Sequence, residues 1–509
     1  MILILIDTLR ADYLGCYGGD ADLTPTLDRI ASEGVLFERA TAPSPWTLPS
    51  VASLFSGYYP SVHKADNYKA VTGKHGGAAG VQVFGEQFDT LAEIAAEHGY
   101  ATGAFVSNPF IVRRSGFAQG FERFEFVGDR APGTDVTRAA LQWLRERDPQ
   151  RPFLAYLHYM EPHAPYIADR SIVEGLLDQV EAAGRRHELS ADQKAKYRKY
   201  LQRSMRPYLH DARHVALMHT QEYWRARYAA CVRQVDQRVE ALRSELLEQG
   251  LWESACVVIV ADHGEALGEH TLFGHGASAY QHQLNVPFLI RLPSAAPAGA
   301  RVSQTVGLFD AMPTILDYLG LPAPADIQAR SLRGLIDGAA SDPRTAFAEA
   351  VNTQPGLKIV LDGDWKLLAH TDASRYELFN LKDDPGELSN VAGSHPKQLE
   401  KLKALLDAQL AENERLGATV AVETAEVSEA EMRRLSALGY TGGVEDHHED
   451  DEQGEVDNGG AIDFEGRDDD GGVLEPADST TSGVKTPHPS ATQPAASSQP
   501  TSTRPHEAP

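Results

Sequence analysis

Two short apolar runs, Met1-Ile2-Leu3-Ile4-Leu5-Ile6 and Ala255-Cys256-Val257-Val258-Ile259-Val260, lead directly into carboxylates, Asp7 and (after Ala261) Asp262. Runs without polar alternation suit strands buried on both faces, and such strands belong to parallel sheets covered by helices. A third strand, Phe153-Leu154-Ala155-Tyr156-Leu157-His158, runs out into Glu161-Pro162-His163-Ala164-Pro165-Tyr166. Parallel sheets bind ligands outside the carboxyl ends of their strands, so Asp7, His163 and Asp262-His263 are expected on one edge.

The remaining segments fit that frame. Thr24 with Pro25 opens a helix, Leu91 to His98 is a helix closed by Gly99, and Ala101 to Val106 is a strand ending at Ser107-Asn108. Two prolines around His163 are expected to hold its loop extended. A polar segment at about 167–222 reads as a solvated helical insertion, a lid in one reading. Tyr223 to Gln249 is a long amphipathic helix stopped by Gly250, and Val286 to Leu292 is a further strand. Alternating strands and helices up to about residue 344 predict an α/β fold with a large, mainly parallel sheet sandwiched by helices. Residues 345–443, with strands near 365–368 and 376–379 and a helix over Lys397 to Leu416, predict a small α+β C-terminal subdomain. Residues 444–509, acidic and Gly-rich and then Ser/Thr/Pro-rich, predict a disordered tail.

Pro45-Trp46-Thr47-Leu48-Pro49-Ser50-Val51-Ala52-Ser53-Leu54-Phe55-Ser56-Gly57 predicts a short helix, with Pro49 in its first turn and Gly57 at its end. Thr47 then reads either as a helix cap or as a hydroxyl at the positive end of the helix, where an anionic ester is stabilised. Carboxylates and an imidazole at strand ends, with a hydroxyl opposite, make a divalent-metal site with an open position.

The net charge is -25. About half of it lies after residue 440, and no basic face is left to neutralise phosphates, which argues against a nucleic-acid partner. Cys16, Cys231 and Cys256 lie far apart, without metal-site spacing, and read as core residues. No stretch is long enough for a membrane span. The chain as written is expected to be cytoplasmic, or periplasmic or extracellular if its N-terminus lies upstream.

The segments Ile4 to Asp12, Thr24-Pro25-Thr26-Leu27-Asp28, Thr47 to Gly57, Glu161 to Tyr166 and Ala261-Asp262-His263-Gly264-Glu265 resemble the sulfatase family of the alkaline phosphatase superfamily. The resemblance continues in order through Phe273-Gly274-His275-Gly276, Asp310 to Thr314, Tyr376 to Leu381, Asp384-Pro385-Gly386-Glu387 and Leu435 to Tyr440. It implies one divalent metal ion (Mn²⁺, Ca²⁺, Zn²⁺ or Mg²⁺) held by Asp7, Asp262, His263 and Thr47. His163 and His275 would contact the non-bridging oxygens or protonate the leaving group. Asn108 and His158 would assist at the substrate, although for His158, as for His270 and His282, a supporting role is the preferred reading. His158, Glu161 and His270 leave room for a second metal.

The chain also departs from the family pattern. Thr47 stands where sulfatases carry the Cys or Ser converted to formylglycine, Val51 stands where they carry Arg, and Thr8 follows Asp7 where many have a second Asp. Threonine cannot undergo that conversion, because its β-carbon bears a methyl group. The departures resemble superfamily branches with an unmodified threonine, such as phosphodiesterases and phosphoethanolamine or phosphoglycerol transferases. The expectation is a metal-dependent hydrolase of anionic esters with a Thr47 nucleophile. Phosphate mono- or diester or phosphonate ester cleavage, or headgroup transfer, is favoured, on a small-molecule, glycan or lipid ester. The alternatives are a sulfuric ester hydrolase and a non-catalytic binder of an anionic glycan or lipid headgroup.

Overall fold

The computed structural model describes residues 1–427 apart from 67, 70–78, 192, 195–210, 294–297, 340–342, 351–355 and 373–374. The tail expected at 444–509 therefore lies outside the described residues, as do Leu435 to Tyr440.

The first apolar run is strand β1 (Ile2–Ile6), and every residue of it is buried. It sits at the centre of an eight-stranded sheet with β2 (Val35–Phe37), β3 (Ala101–Val106), β4 (Arg123–Phe126), β5 (Phe153–Tyr159), β6 (Val257–Val260), β7 (Phe288–Arg291) and β8 (Ala300–Val302). The strand order is β8-β2-β7-β6-β1-β5-β3-β4. β1 is parallel to β5 and β6, and β3 is parallel to β5 and β4. The sheet is mixed because β7 runs antiparallel to both β6 and β2. Pro287 interrupts the run expected over Val286 to Leu292: Asn285–Val286 pairs with Ala40–Thr41 in a separate small sheet, and β7 begins only at Phe288. A proline cannot donate to the ladder, so pairing breaks there.

Among the flanking helices are α1 (Pro25–Glu33), α2 (Thr47–Ser56), α3 (Leu91–Glu97), α4 (Gly133–Glu146), α5 (Arg170–Ala183) and α6 (Gln221–Glu248). α6 buries Tyr223, Tyr228, Val232, Val235, Val239, Leu242 and Leu246, the stripe that its periodicity predicts. α2 is buried along its whole length, and Gly57 closes it at φ 76°. Burying Leu48, Val51, Leu54 and Phe55 contributes roughly 1.5–3 kcal/mol each, so this helix is a core element as well as a functional one.

Beyond residue 344 four antiparallel strands, β9 (Thr345–Ala350), β10 (Leu357–Asp362), β11 (Trp365–His370) and β12 (Tyr376–Asn380), form a meander. Helix α7 (Pro396–Gly417) joins them through Leu402 and Leu406, which share a core with Val360, Leu367 and Leu378. No described helix is long and apolar enough to cross a membrane.

Candidate active site

The carboxyl ends of β1, β3, β5 and β6 converge. Asp7 follows β1, and its N–H donates to Tyr159 C=O on the neighbouring strand at 2.9 Å. Asp262 follows β6; its Oδ1 accepts from the Thr8 and His263 N–H groups at 3.2 and 3.0 Å. Thr8 holds φ at 59°, an uncommon conformation for a β-branched residue, and its carbonyl is clamped by the Tyr228 hydroxyl at 2.7 Å.

The ligating atoms of Asp7, His158 and Asp262 lie within 4.8 Å of one another. His263 belongs with them, its Nε2 standing 3.4 Å from Asp262 Oδ2 and 3.9 Å from Asp7 Oδ1. His263 Nδ1 lies 2.9 Å from Gly264 C=O, which can only accept, so Nδ1 carries the proton and Nε2 presents a lone pair. Asp7 Oδ1 and Asp262 Oδ2 are buried without a hydrogen bond, as is Thr8 Oγ1. Two orphaned carboxylate oxygens and an imidazole lone pair buried side by side are costly alone and fit a divalent cation. Burial raises both carboxyl pKa values. For Asp262 the neighbouring Asp7 charge adds to the rise. For Asp7 the hydrogen bond from His158, with the electrostatic pull of the surrounding imidazoles, outweighs burial and brings it below the usual carboxylate range.

Thr47 is not a cap. It is the first residue of α2, after Trp46, and makes no capping bond. Its Oγ1 points at the donor group, 3.3 Å from His263 Nε2. The capping alternative fails because Trp46 already occupies the extended position before the helix. Ser50, one turn on, ties the helix to the metal strand by donating to Asp262 C=O at 2.6 Å.

Asn108 was expected at the substrate and His158 there or, by preference, in a supporting place; both are engaged beneath Asp7. Asp7 Oδ2 accepts from Asn108 Nδ2 at 2.8 Å and from His158 Nε2 at 3.2 Å. The other ring nitrogen of His158 faces the Tyr156 hydroxyl at 3.0 Å, and Asn108 Oδ1 accepts from Phe110 N–H at 2.9 Å. Their polar atoms are thus committed to orienting Asp7 and their own loop. The possible second metal set does not assemble. Glu161 Oε1 accepts from Gly133 N–H at 3.0 Å, while His270 stacks on Tyr280 at 3.8 Å and reaches Gly386 C=O at 2.9 Å. His282 does not join the donor group either; burial, then Arg10, lowers its pKa to about 3.

His163 and His275 form the opposite wall, with ring centroids 4.9 Å apart and His275 4.4 Å from His263. The His163 loop is a turn rather than extended, with His163 N–H donating to Met160 C=O at 2.8 Å. His163 Nδ1 lies 2.7 Å from Ala164 C=O and 3.4 Å from Arg130 Nη2. One nitrogen cannot donate to a carbonyl and accept from a guanidinium, so the shorter contact makes Nδ1 the donor and Arg130 a neighbouring charge. Burial first, then Arg130 and His275, hold the His163 pKa well below its ordinary value. His275 goes the other way: burial lowers it, but the Glu265 carboxylate 2.9 Å from its Nδ1 more than compensates. Gly264 lets this loop close, since a Cβ there would lie 2.2 Å from His282 C=O. Sequence reasoning assigned no role to Arg130, Glu265 or Thr8. Glu265 and Thr8 were visible inside the quoted motifs, whereas Arg130 carried no local signal.

This fold, carrying paired aspartates and histidines at its strand ends, defines a hydrolase class. The sulfatase family model matches residues 1–321, and the model of the N-sulphoglucosamine sulphohydrolase C-terminal region matches residues 268–415. The chain therefore belongs to the sulfatase family, and it is an ester hydrolase of the alkaline phosphatase superfamily fold. It is 24% identical over 492 residues to N-acetylglucosamine-6-O-sulfatase of Bacteroides thetaiotaomicron, spanning 80% of this chain and 85% of that one. Among solved structures it is similar to one in complex with its substrate D-glucosamine-2-N,6-O-disulfate, with TM-score 0.66, 20% identity, and 82% and 98% of the two chains covered. It is also similar to the phosphonate monoester hydrolase of Agrobacterium radiobacter, with TM-score 0.64, 20% identity, and 84% and 98% covered.

Proposed function

We propose that this chain cleaves an anionic ester through attack by the Thr47 hydroxyl, and that phosphoric or phosphonic esters are its substrates. The observation that carries the reading is the Thr47 hydroxyl oxygen 3.3 Å from His263 Nε2, beside the carboxylates of Asp7 and Asp262. Asp7, Asp262, His263 and Thr47 would hold one divalent cation, and oxygen and imidazole donors suit Mn²⁺, Zn²⁺, Mg²⁺ or Ca²⁺. Bound there, such a cation would supply a lowered pKa at the Thr47 hydroxyl, whose proton would pass to water, and polarisation of the ester oxygen. Thr47 Oγ1 then attacks in line: the new O–P bond forms, the ester P–O bond breaks with its electron pair on the departing oxygen, and His275 Nε2 protonates that oxygen. Water attacks the phospho-threonine, His275 Nε2 takes the proton of that water, and Thr47 is released. His163, neutral with its proton on Nδ1, has no N–H at Nε2 to offer a non-bridging oxygen and forms the pocket wall beside it. A sulfo-threonine would lack the hydrate elimination by which formylglycine enzymes release sulfate, which favours phosphorus.

A second reading, sulfuric ester hydrolysis, draws on the name of the Bacteroides relative and on the disulfated substrate of the similar structure. The deciding experiment combines turnover of p-nitrophenyl phosphate, bis-p-nitrophenyl phosphate, phenylphosphonate esters and p-nitrophenyl sulfate with each metal, and mass analysis of the Thr47 peptide after a rapid quench. Phosphorus-ester turnover with a phosphoryl adduct on Thr47, both lost in Thr47→Ala with kcat/KM down by roughly 10⁴-fold, is the expected result. Sulfate turnover that survives Thr47→Ala overturns the nucleophile and the substrate class together.

A further inference from the structure

Glu265 is a fully buried carboxylate that the chemistry above does not use, and both of its oxygens are taken. Oε1 accepts from the Tyr166 hydroxyl at 3.0 Å, and Oε2 lies 2.9 Å from His275 Nδ1. Its own carbonyl accepts from Arg10 Nη1 at 3.0 Å, which fixes the backbone from which the side chain projects. Tyr166 is itself held hard: it sits at φ 55°, and its carbonyl accepts from Arg227 Nη2 and Nε at 2.9 and 3.3 Å. Arg227 is fully buried on α6 and also donates from Nη1 to the Tyr223 hydroxyl at 3.1 Å. A strained residue braced this thoroughly points to a geometric demand nearby, and the group at the end of the brace is the His275 imidazole.

We infer that Glu265 and Tyr166 are positioning residues, which hold His275 with Nδ1–H on Glu265 so that Nε2 alone meets the leaving oxygen. A carboxylate can only accept, so the proton on Nδ1 is assigned by Glu265, and the tautomer and ring angle follow. Tyr166 prevents the carboxylate from rotating away, because a Glu side chain otherwise has free χ angles to explore. When the ester bond breaks, its electron pair goes to the departing oxygen, that oxygen takes the Nε2 proton, and His275 is left neutral with Nδ1–H still on Glu265. Glu265 acts through His275, so its contribution falls on the two steps in which His275 Nε2 moves a proton, donation to the leaving oxygen and removal from the attacking water. This inference rests on His275 as the proton donor of the proposed reaction.

The test compares a p-nitrophenyl ester with a phenyl ester of whichever acid the enzyme hydrolyses, using Glu265→Gln, Tyr166→Phe, His275→Ala and Glu265→Gln/His275→Ala. In Glu265→Gln, kcat/KM, which reports formation of the phospho-threonine, is expected to fall by about 10²–10³-fold on the phenyl ester and by less than about 10-fold on the p-nitrophenyl ester, since in that step only the poor leaving group needs the acid. KM, bound metal and Tm stay as in the wild type. Tyr166→Phe, which keeps the ring, loses about 10-fold on the phenyl ester alone. The double variant is no slower than His275→Ala. Equal losses on both esters, or a Glu265→Gln loss that persists in full without His275, overturns the positioning role. His275→Ala with unchanged leaving-group dependence overturns the proton-donor assignment and this inference with it.

Discussion

The floor of the site and its rim are built by different means. The floor, made of Asp7, Asn108, His158 and Asp262, sits on or within two residues of strand ends, and its hydrogen bonds run between strands of one sheet. The rim, made of Arg130, His163, Tyr166, Glu265 and His275, hangs on loops that reach the site through long-range side-chain contacts. Backbone strain follows the same division. Among the described non-glycine residues with positive φ, Thr8 adjoins the floor, Arg130 and Tyr166 belong to the rim, and His270 and Thr271 lie in the hairpin that joins Ala266–Leu267 to Phe273–Gly274. The floor is therefore specified by strand pairing. The rim is specified only once the whole domain has folded around it, and its precision is maintained against strain.

The sharpest way to break this comparison is to remove a floor charge. Asp262→Asn is expected to abolish tight metal binding and to lower kcat/KM by roughly 10³-fold or more. The metal-free protein should not lose stability, because Asp262 is destabilised by burial and by the Asp7 charge beside it. Divalent metal should raise the Tm of the wild type and leave that of the variant unmoved, by the linkage of binding to folding. A variant that keeps the metal-dependent Tm shift would refute the floor as the metal site. His158→Ala should have a smaller effect, about 10–100-fold in metal affinity with the adduct-forming competence of Thr47 retained, because His158 orients Asp7. Isothermal titration with Mn²⁺ would show it, and an affinity unchanged within about twofold would mean that Asn108 alone holds Asp7.

The same division explains what could be read before folding. Asp7, Asp262 and His263 follow apolar runs, and any chain that buries those runs side by side brings the three together. Thr47 was legible for a related reason, since Pro49 and Gly57 bracket its helix locally. His158 was legible as a supporting residue, whereas Asn108 was legible as a site residue but not in its role, because nothing in the end of a strand says whether the amide beyond it faces an incoming ester or an aspartate of the same sheet. Glu265 was visible within a motif and silent in function until Tyr166, 99 residues away, was seen to hold it. Arg130 could not be found, since its place beside His163 depends on a positive φ that no residue type there announces. The C-terminal meander was half legible: β11 and β12 stood out, whereas β9 and β10 gain their identity only as partners of those strands.

The mildest test concerns the hairpin behind the rim, where Arg10 braces Glu269. Glu269 Oε1 accepts from Arg10 Nη1 at 3.0 Å and lies 3.0 Å from Arg225 Nη2, and Oε2 accepts from Leu267 N–H at 2.6 Å. Burial raises this carboxyl, but Arg10 and the Leu267 N–H outweigh burial and bring it from 4.5 to about 2. The folded pKa lies below the unfolded one, so the contribution is fully present above pH 4.5 and is lost as pH falls through the folded value near 2. Its size is about 2 kcal/mol after allowance for the partly exposed side chain. The measurement is the stability difference between wild type and Glu269→Gln by chemical denaturation across that window. The difference should be constant above pH 5 and should shrink steadily toward pH 2. A difference that does not change with pH would mean that the brace acts through shape rather than charge, and that the rim is held by packing alone.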